Sequence, residues 1–385
     1  MGRITLFRTT PRIVMGPGAV AAVGQEAKAL GAGPVLIVTD PGIIAAGLLG
    51  PVEASLKAAG LGFRVFDGVE ADPRFEVVEA CRAFAAQQMP AVVLGLGGGS
   101  ALDIAKTVAV MLTNPGCIGD YCGIDLVPAS GVPALLLPTT AGTGSEVTPI
   151  AILSDEAEKL KKGVVSPHLF PRTALLDPEL TLGLPPAVTA ATGMDALIHA
   201  IEAYTSVNAT DLSDLLAARA MELIGANLRT AFARGQDLAA RAAMLEGSLL
   251  AGISFANAGV TAVHAFAYPI GAEYHIPHGV ANTLMLAPVM RFNLLGALER
   301  FADIAELLGQ PTEGLALREA AEEAVEAVLL LAEDLGVPTR LSRFGVREEH
   351  IPGLAAGVMK VTRLLANNPR QLSQADAEAI YRQVL

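Results

Sequence analysis

Tryptophan is missing altogether from this chain of 385 residues, and cysteine and histidine are scarce, at three and six copies. Cys81, Cys117 and Cys122 form no C-x-x-C pair, and an odd number makes a poor disulfide framework. Buried or idle thiols in a reducing compartment are expected, hence a cytoplasmic protein. Basic residues are also short: 27 Lys and Arg against 39 Asp and Glu leave a formal net charge of −12. That balance argues against a nucleic-acid partner and offers no basic patch to a membrane surface. The N-terminal stretch MGRITLFRTTPRIVMG lacks the continuous apolar run of a secretory signal and reads as extended structure. Residues 126–145 carry no charge, but Pro128, Pro133, Pro138, Gly131, Gly142 and Gly144 break them up, so no spanning helix is expected there.

What is present points to a buried α/β protein. Hydrophobic residues make up 52% of the chain, with 39 glycines, and its length exceeds one ordinary core, so two domains are expected. In the first half, strand-like runs at 34–40, 62–66, 91–96, 133–140 and 173–177 alternate with helical patterns at 42–60, 74–88 and 100–112. Such alternation predicts βαβ units and a mostly parallel, Rossmann-like sheet. After Leu184-Pro185-Pro186 the period shifts to that of helices, at 187–206, 211–232, 238–256, 297–308 and 315–335. The expected organisation is α/β over 1–184 followed by an all-helical domain over 185–385.

Four of the six histidines fall within 80 residues, from His199 to His278. Asp195 and His199 stand four apart in GMDALIHAIEAYTS, so a helix would point carboxylate and imidazole at one spot. HAFAYPIGAEYHIPHG adds His264 and His278, with His275 three residues before the latter. Imidazoles with a carboxylate suit a divalent transition metal such as iron or zinc.

A second constellation lies upstream. AVVLGLGGGSALDIAK reads as buried strand, glycine turn and helix. Gly97, Gly98 and Gly99 permit close backbone approach, Ser100 can cap the helix, and the helix N-terminus favours a pyrophosphate. Ser100 stands where G-x-G-x-x-G would have its last glycine, so this is not the standard fingerprint. PTTAGTGSE also follows an apolar strand and supplies Thr139, Thr140, Thr143 and Ser145. Asp40 ends the VLIVTD strand, where its carboxylate can accept from ribose hydroxyls and would repel a 2′-phosphate; this favours NAD over NADP. Its alternative role is an ordinary turn or helix-cap aspartate.

GGGSALD, PTTAGTGSEVT, GMDALIHAIEAY and HAFAYPIGAEYHIPHG together resemble the iron-containing (group III) alcohol dehydrogenases, within the dehydroquinate synthase-like superfamily. The resemblance spans nearly the whole chain and implies an active-site cleft between the α/β and helical domains. It implies that Asp195, His199, His264 and His278 hold the metal, usually Fe2+ with Zn2+ possible, and that Gly97–Ser100 hold the NAD pyrophosphate. By the same resemblance Asp103 braces the glycine turn, Asp40 holds the ribose, Thr139 and Thr140 line the cofactor groove, and Lys161 and Asp72 lie on the cofactor side. Many members carry a histidine where this chain has Tyr268, so a proton relay would use the Tyr268 hydroxyl, water or His275. Phe255, Phe266 and Tyr268 are candidates to line the substrate pocket, with ordinary core packing the alternative for Phe255 and Phe266.

The implied reaction passes hydride between NAD(H) and a small primary alcohol, aldehyde or diol, in a homodimer or larger oligomer. Two alternatives exist: a metal- and NAD-using lyase of dehydroquinate synthase type, and a non-catalytic nucleotide sensor. The lyase would need basic residues for an anionic substrate. The helix bearing Asp195 and His199 has none.

Overall fold

The computed structural model describes residues 4–156 and 160–385. It divides into two compact units, Thr9–Gly183 and Leu184–Leu385 joined by the segment up to Arg8. Arg8 belongs with the helices because its backbone N–H and carbonyl both bond the Asn257 side-chain amide, at 2.8 and 2.9 Å.

Among the described residues the first unit carries nine strands: β1 Ile13–Met15, β2 Val35–Val38, β3 Phe63–Phe66, β4 Val92–Gly97, β5 Gly123–Ile124, β6 Ala134–Pro138, β7 Ile150–Asp155, β8 Leu160–Val165 and β9 Thr173–Leu176. Six form one parallel sheet in the order β1-β9-β6-β4-β2-β3. The helices are α1 Val23–Leu30, α2 Pro41–Ala45, α3 Leu49–Ala58, α4 Phe75–Ala86 and α5 Gly99–Met111. Alternate side chains on the strands serve different cores, as a two-sided sheet requires. Leu36, Val38, Val93 and Leu136 pack with Val78, Cys81, Ile104 and Val108; Val35, Ile37, Leu94 and Leu135 pack with Val23, Val52 and Leu56. The chain runs from β2 to β3 on one side and returns to β4 on the other. The carboxyl ends of β2 and β4 therefore form the topological switch point at which such sheets bind ligands.

The five expected sheet strands are all present, and the structure adds β1 at the edge and a small second sheet, β5-β8-β7. In that sheet β7 and β8 make an antiparallel pair. The helical pattern at 42–60 is two helices, because Gly47 turns the chain at φ 75° between them.

The second unit contains α6 Pro186–Thr205, α7 Asp211–Ala233, α8 Leu238–Ala258, α9 Ala262–Tyr274, α10 His278–Asn293, α11 Leu298–Leu307, α12 Leu317–Asp334, α13 Ile351–Lys360, α14 Thr362–Leu365 and α15 Gln374–Gln383. Pro186 opens α6 at its first helical position, where its missing N–H costs nothing. α8 is long and apolar enough to cross a membrane by composition, yet 67% of its apolar window is buried inside the protein. It is apolar all round because it is a core helix packed on α6 and α7. α9 and α10 each contain an internal proline, Pro269 and Pro288, which conceals their helical character in the sequence.

Candidate metal centre and nucleotide-binding turns

α6 presents Asp195, His199 and Glu202 along one face, at spacings of four and three. His264 lies in the first turn of α9, and His278 is the first residue of α10. Ligand atoms of Asp195, His199 and His264 all lie within 4.8 Å of one another. His278 lies beside them, with Nε2 3.8 Å from Asp195 Oδ1. The His199 ring stacks between Phe255, at 4.3 Å, and His264, at 4.6 Å. Asp195, His199 and His264 are buried, whereas the His278 side chain is 32% exposed, so the site opens on its side.

Two residues of this centre escape a reading of the sequence. Glu202 is buried and accepts from His264 Nδ1; its Oε1 also accepts from the N–H groups of Thr261 (3.0 Å) and Val263 (2.8 Å) and from Thr261 Oγ1 (2.7 Å). Asn282, one turn beyond His278 on α10, sets its Nδ2 2.7 Å from Asp195 Oδ1, 3.1 Å from His264 Nε2 and 3.2 Å from His278 Nε2. Both follow from helical spacing: Glu202 shares the face of Asp195 and His199, and Asn282 shares that of His278.

The donor set fits a cation. Because His264 Nδ1 faces the Glu202 carboxylate, the neutral ring keeps its lone pair on Nε2, which looks at the Asp195 carboxylate 3.8 Å away. One amide nitrogen with two protons faces three such neighbours, and Asn282 Oδ1 is itself buried with no hydrogen-bond partner. Turning the amide over would set that oxygen against Asp195. A divalent cation at the convergence answers all the acceptors at once. Burial opposes ionisation of Asp195 and Glu202, but the facing imidazoles more than offset it and hold both below the usual carboxylate range. Burial likewise works against a charged His264, and Glu202 outweighs it, raising that imidazole.

In the α/β unit the glycine turn behaves differently from expectation at Ser100. Gly98 is the N-cap of α5 and no side chain caps it; Ser100 lies inside the first turn. The turn is closed by small size. A Cβ at Gly97, where φ is 149°, would sit 2.7 Å from Ala101 Cβ and 3.3 Å from Asp40 Oδ2. A Cβ at Gly99 would sit 2.6 Å from Thr143 Cγ2, and one at Gly98 3.6 Å from Thr140 Oγ1. The glycine turn and the threonine-rich loop after β6 therefore face each other at the switch point. Thr139 lies buried beneath, its N–H bonded to Gly97 O at 3.0 Å, while Thr140 and Thr143 are partly exposed.

Asp103 ties this arrangement together. Its Oδ1 accepts from Ser145 Oγ at 2.5 Å and its Oδ2 from Ile152 N at 2.9 Å. Beside it the buried Lys106 donates to the carbonyls of Ser145 and Ile150. Asp40 is a helix cap, with Oδ1 accepting from Ile43 N at 3.1 Å, and Oδ2 is the oxygen on the Gly97 side. Asp72, at φ 50°, pairs with Lys161, which brings the two expected cofactor-side residues together.

Other expectations are corrected or refined. Phe266 is fully buried and packs edge-on to Tyr381 at 5.0 Å, so it is core rather than pocket wall. Phe255 packs on His199, and Tyr268 is half-buried with its ring 6.3 Å from that of His278. His275 ends α9 in the left-handed region (φ 53°) and is exposed. The three cysteines are free, with Cys81 buried, Cys122 partly buried and Cys117 exposed.

Known proteins share this plan. Residues 10–178 match the family model described as "Iron-containing alcohol dehydrogenase", and 189–385 match "Fe-containing alcohol dehydrogenase family, C-terminal". The chain is 43% identical over 370 residues to long-chain-alcohol dehydrogenase 1 of Geobacillus thermodenitrificans, covering 95% of this chain and 93% of that one. It is 39% identical over 383 residues to the NAD-dependent methanol dehydrogenase of Bacillus methanolicus, covering 99% and 100%. The crystal structure of a 1,3-propanediol oxidoreductase superposes with a TM-score of 0.97 at 39% identity, over the full length of both chains. The buried Asp195, His199 and His264 cluster and the glycine turn thus occur in a chain that belongs to the iron-containing alcohol dehydrogenase family, as a metal- and NAD-dependent oxidoreductase.

Proposed function

We propose that Asp195, His199, His264 and His278 hold one Fe2+, with Zn2+ accepted by the same donors, and that the enzyme interconverts a small primary alcohol or diol and its aldehyde. The observation that carries this reading is that ligand atoms of Asp195, His199 and His264 lie within 4.8 Å of one another, with His278 Nε2 3.8 Å from Asp195 Oδ1 and Asn282 Oδ1 buried without a hydrogen-bond partner. A bound divalent cation supplies Lewis acidity, which favours the ionised form of an alcohol hydroxyl and polarises an aldehyde carbonyl. The chain's own residues do the rest. Asp195 offsets part of the cation's charge, Glu202 and Asn282 hold the ligands in place, and Phe255 shields His199.

On the cofactor side, Gly97, Gly98, Gly99 and Ser100 hold the pyrophosphate of NAD at the N-terminus of α5. Asp40 Oδ2 accepts from the ribose hydroxyls, Thr140 and Thr143 contact the phosphates, and Asp103 keeps the facing loop in place. Thr139 forms the floor of the groove, and Lys161 with its partner Asp72 borders it. Proton release runs through the Tyr268 hydroxyl or His275. The half-buried Tyr268 ring beside the open His278 edge supports a small substrate.

The protein self-associates as a dimer or larger homo-oligomer in the cytoplasm. Support comes from Ile4 and Leu6, which are 98% and 67% exposed, from the half-exposed Met15 on edge strand β1, and from the three free cysteines. The deciding experiment strips the protein with chelator, reloads it anaerobically with Fe2+ and follows NADH formation over a panel of alcohols and diols. Turnover that disappears on chelation and returns with metal is expected. A metal- and NAD-loaded protein that stays silent across the panel contradicts the proposal.

A further inference from the structure

Glu202 lies next to the metal donors but is not one of them, and its two oxygens do separate jobs. Oε1 gathers the N–H groups of Thr261, Val263 and His264 (3.4 Å) with Thr261 Oγ1, which closes the amino end of α9. Oε2 faces His264 Nδ1 alone. A carboxylate has no proton to give at this position, so the imidazole must supply it, and the ring's lone pair is left on Nε2, 3.1 Å from Asn282 Nδ2 and 3.8 Å from Asp195 Oδ1. With four donors crowding Oε1, the carboxylate cannot turn to release the ring. We propose that Glu202 is the positioning residue of the metal centre, which commits His264 to its Nδ1–H tautomer and thereby keeps Nε2 available as a ligand. This rests on the metal-site reading above.

The substitution Glu202→Gln separates this role from simple packing. The four donors at Oε1 require the amide oxygen there, so the NH2 must face Nδ1. The His264 proton is then driven to Nε2, where it blocks ligation. Thr261→Val is the control, since it removes one donor to Oε1 and leaves Oε2 untouched. Co2+ binding to the chelator-stripped full chain should weaken about 10–100-fold in Glu202→Gln, as for loss of an outer-shell partner. Its ligand-field spectrum should change while circular dichroism stays that of the wild type. Thr261→Val should lose thermal stability and keep its Co2+ affinity.

Wild-type affinity and spectrum in Glu202→Gln would overturn the role of Glu202. Failure of the wild-type chain itself to take up Co2+ would instead overturn the metal-site reading on which it rests. Should Glu202→Gln not fold, 15N chemical shifts of the neutral histidine rings in the chelator-stripped wild type decide. A protonated Nδ1 on His264 is expected, and a protonated Nε2 overturns the proposal.

Discussion

The two candidate sites are built in opposite ways. The candidate metal centre is made of side chains: Asp195 and His199 from α6 and His264 from α9, with His278 of α10 beside them and Glu202 and Asn282 hydrogen-bonded to the cluster. The nucleotide turns are made of backbone, shaped by side chains that are absent at Gly97, Gly98 and Gly99 and by the threonines that occupy the room left over. A side-chain site fails when a functional group changes, even at constant volume. A backbone site fails when volume is added, whatever its chemistry. The two should therefore break independently, which His264→Ala and Gly99→Ala check directly.

The largest effect is expected from His264→Ala. Metal and turnover should be lost together, by well over the roughly 100-fold that an outer partner commands, with NAD affinity near the wild-type value by fluorescence titration. Loss of NAD binding as well would break the independence of the sites.

Next comes Glu146, buried under the threonine-rich loop with Oε1 unpartnered. Burial pushes its carboxyl up to about 7, against a partial pull downward from Lys106. A carboxyl that binds its proton more tightly when folded costs nothing below its ordinary value near 4.5, destabilises increasingly as pH rises to about 7, and stays costly above. At about 1.4 kcal/mol per unit, the difference is on the order of 3 kcal/mol. Glu146→Gln should therefore raise the melting temperature more at pH 8 than at pH 5. An equal shift at both would contradict the buried-acid account.

Gly99→Ala places a methyl 2.6 Å from Thr143 Cγ2. Overpacking of this kind costs about 1–3 kcal/mol, so NAD affinity should fall roughly 10-fold or more with Co2+ affinity unchanged in isothermal titration. The smallest effect belongs to Asp72→Asn, which removes the partner of Lys161. Asp72 is 50% exposed, so stability should change by less than about 1 kcal/mol in urea unfolding.

The same contrast explains what the sequence discloses. Donors announce themselves, because Asp195 and His199 at four-residue spacing have few other reasons to be buried together. Glu202 and Asn282 occupy the same helical registers, yet Glu and Asn are common on solvated faces, and only the fold shows them buried. The glycine turn is legible as strand, glycines and helix, but the identity of its cap is not. Ser100 has the chemistry of a cap, and the backbone starts the helix two residues too early for it to serve. β7 and β8 escape because their burial is one-sided or interrupted by Lys161, Lys162 and Gly163, which leaves no continuous apolar run. α9 and α10 are hidden by their internal prolines, although they carry half of the metal donors.

The convergence of four side chains on one cation is tested most directly by X-ray absorption at the metal edge of protein loaded with one equivalent of Zn2+. The structure predicts nitrogen and oxygen neighbours at about 2.0–2.2 Å with the outer-shell scattering of three imidazoles, falling to two in His278→Ala. An all-oxygen shell without imidazole scattering, or an unchanged spectrum in that variant, would contradict it.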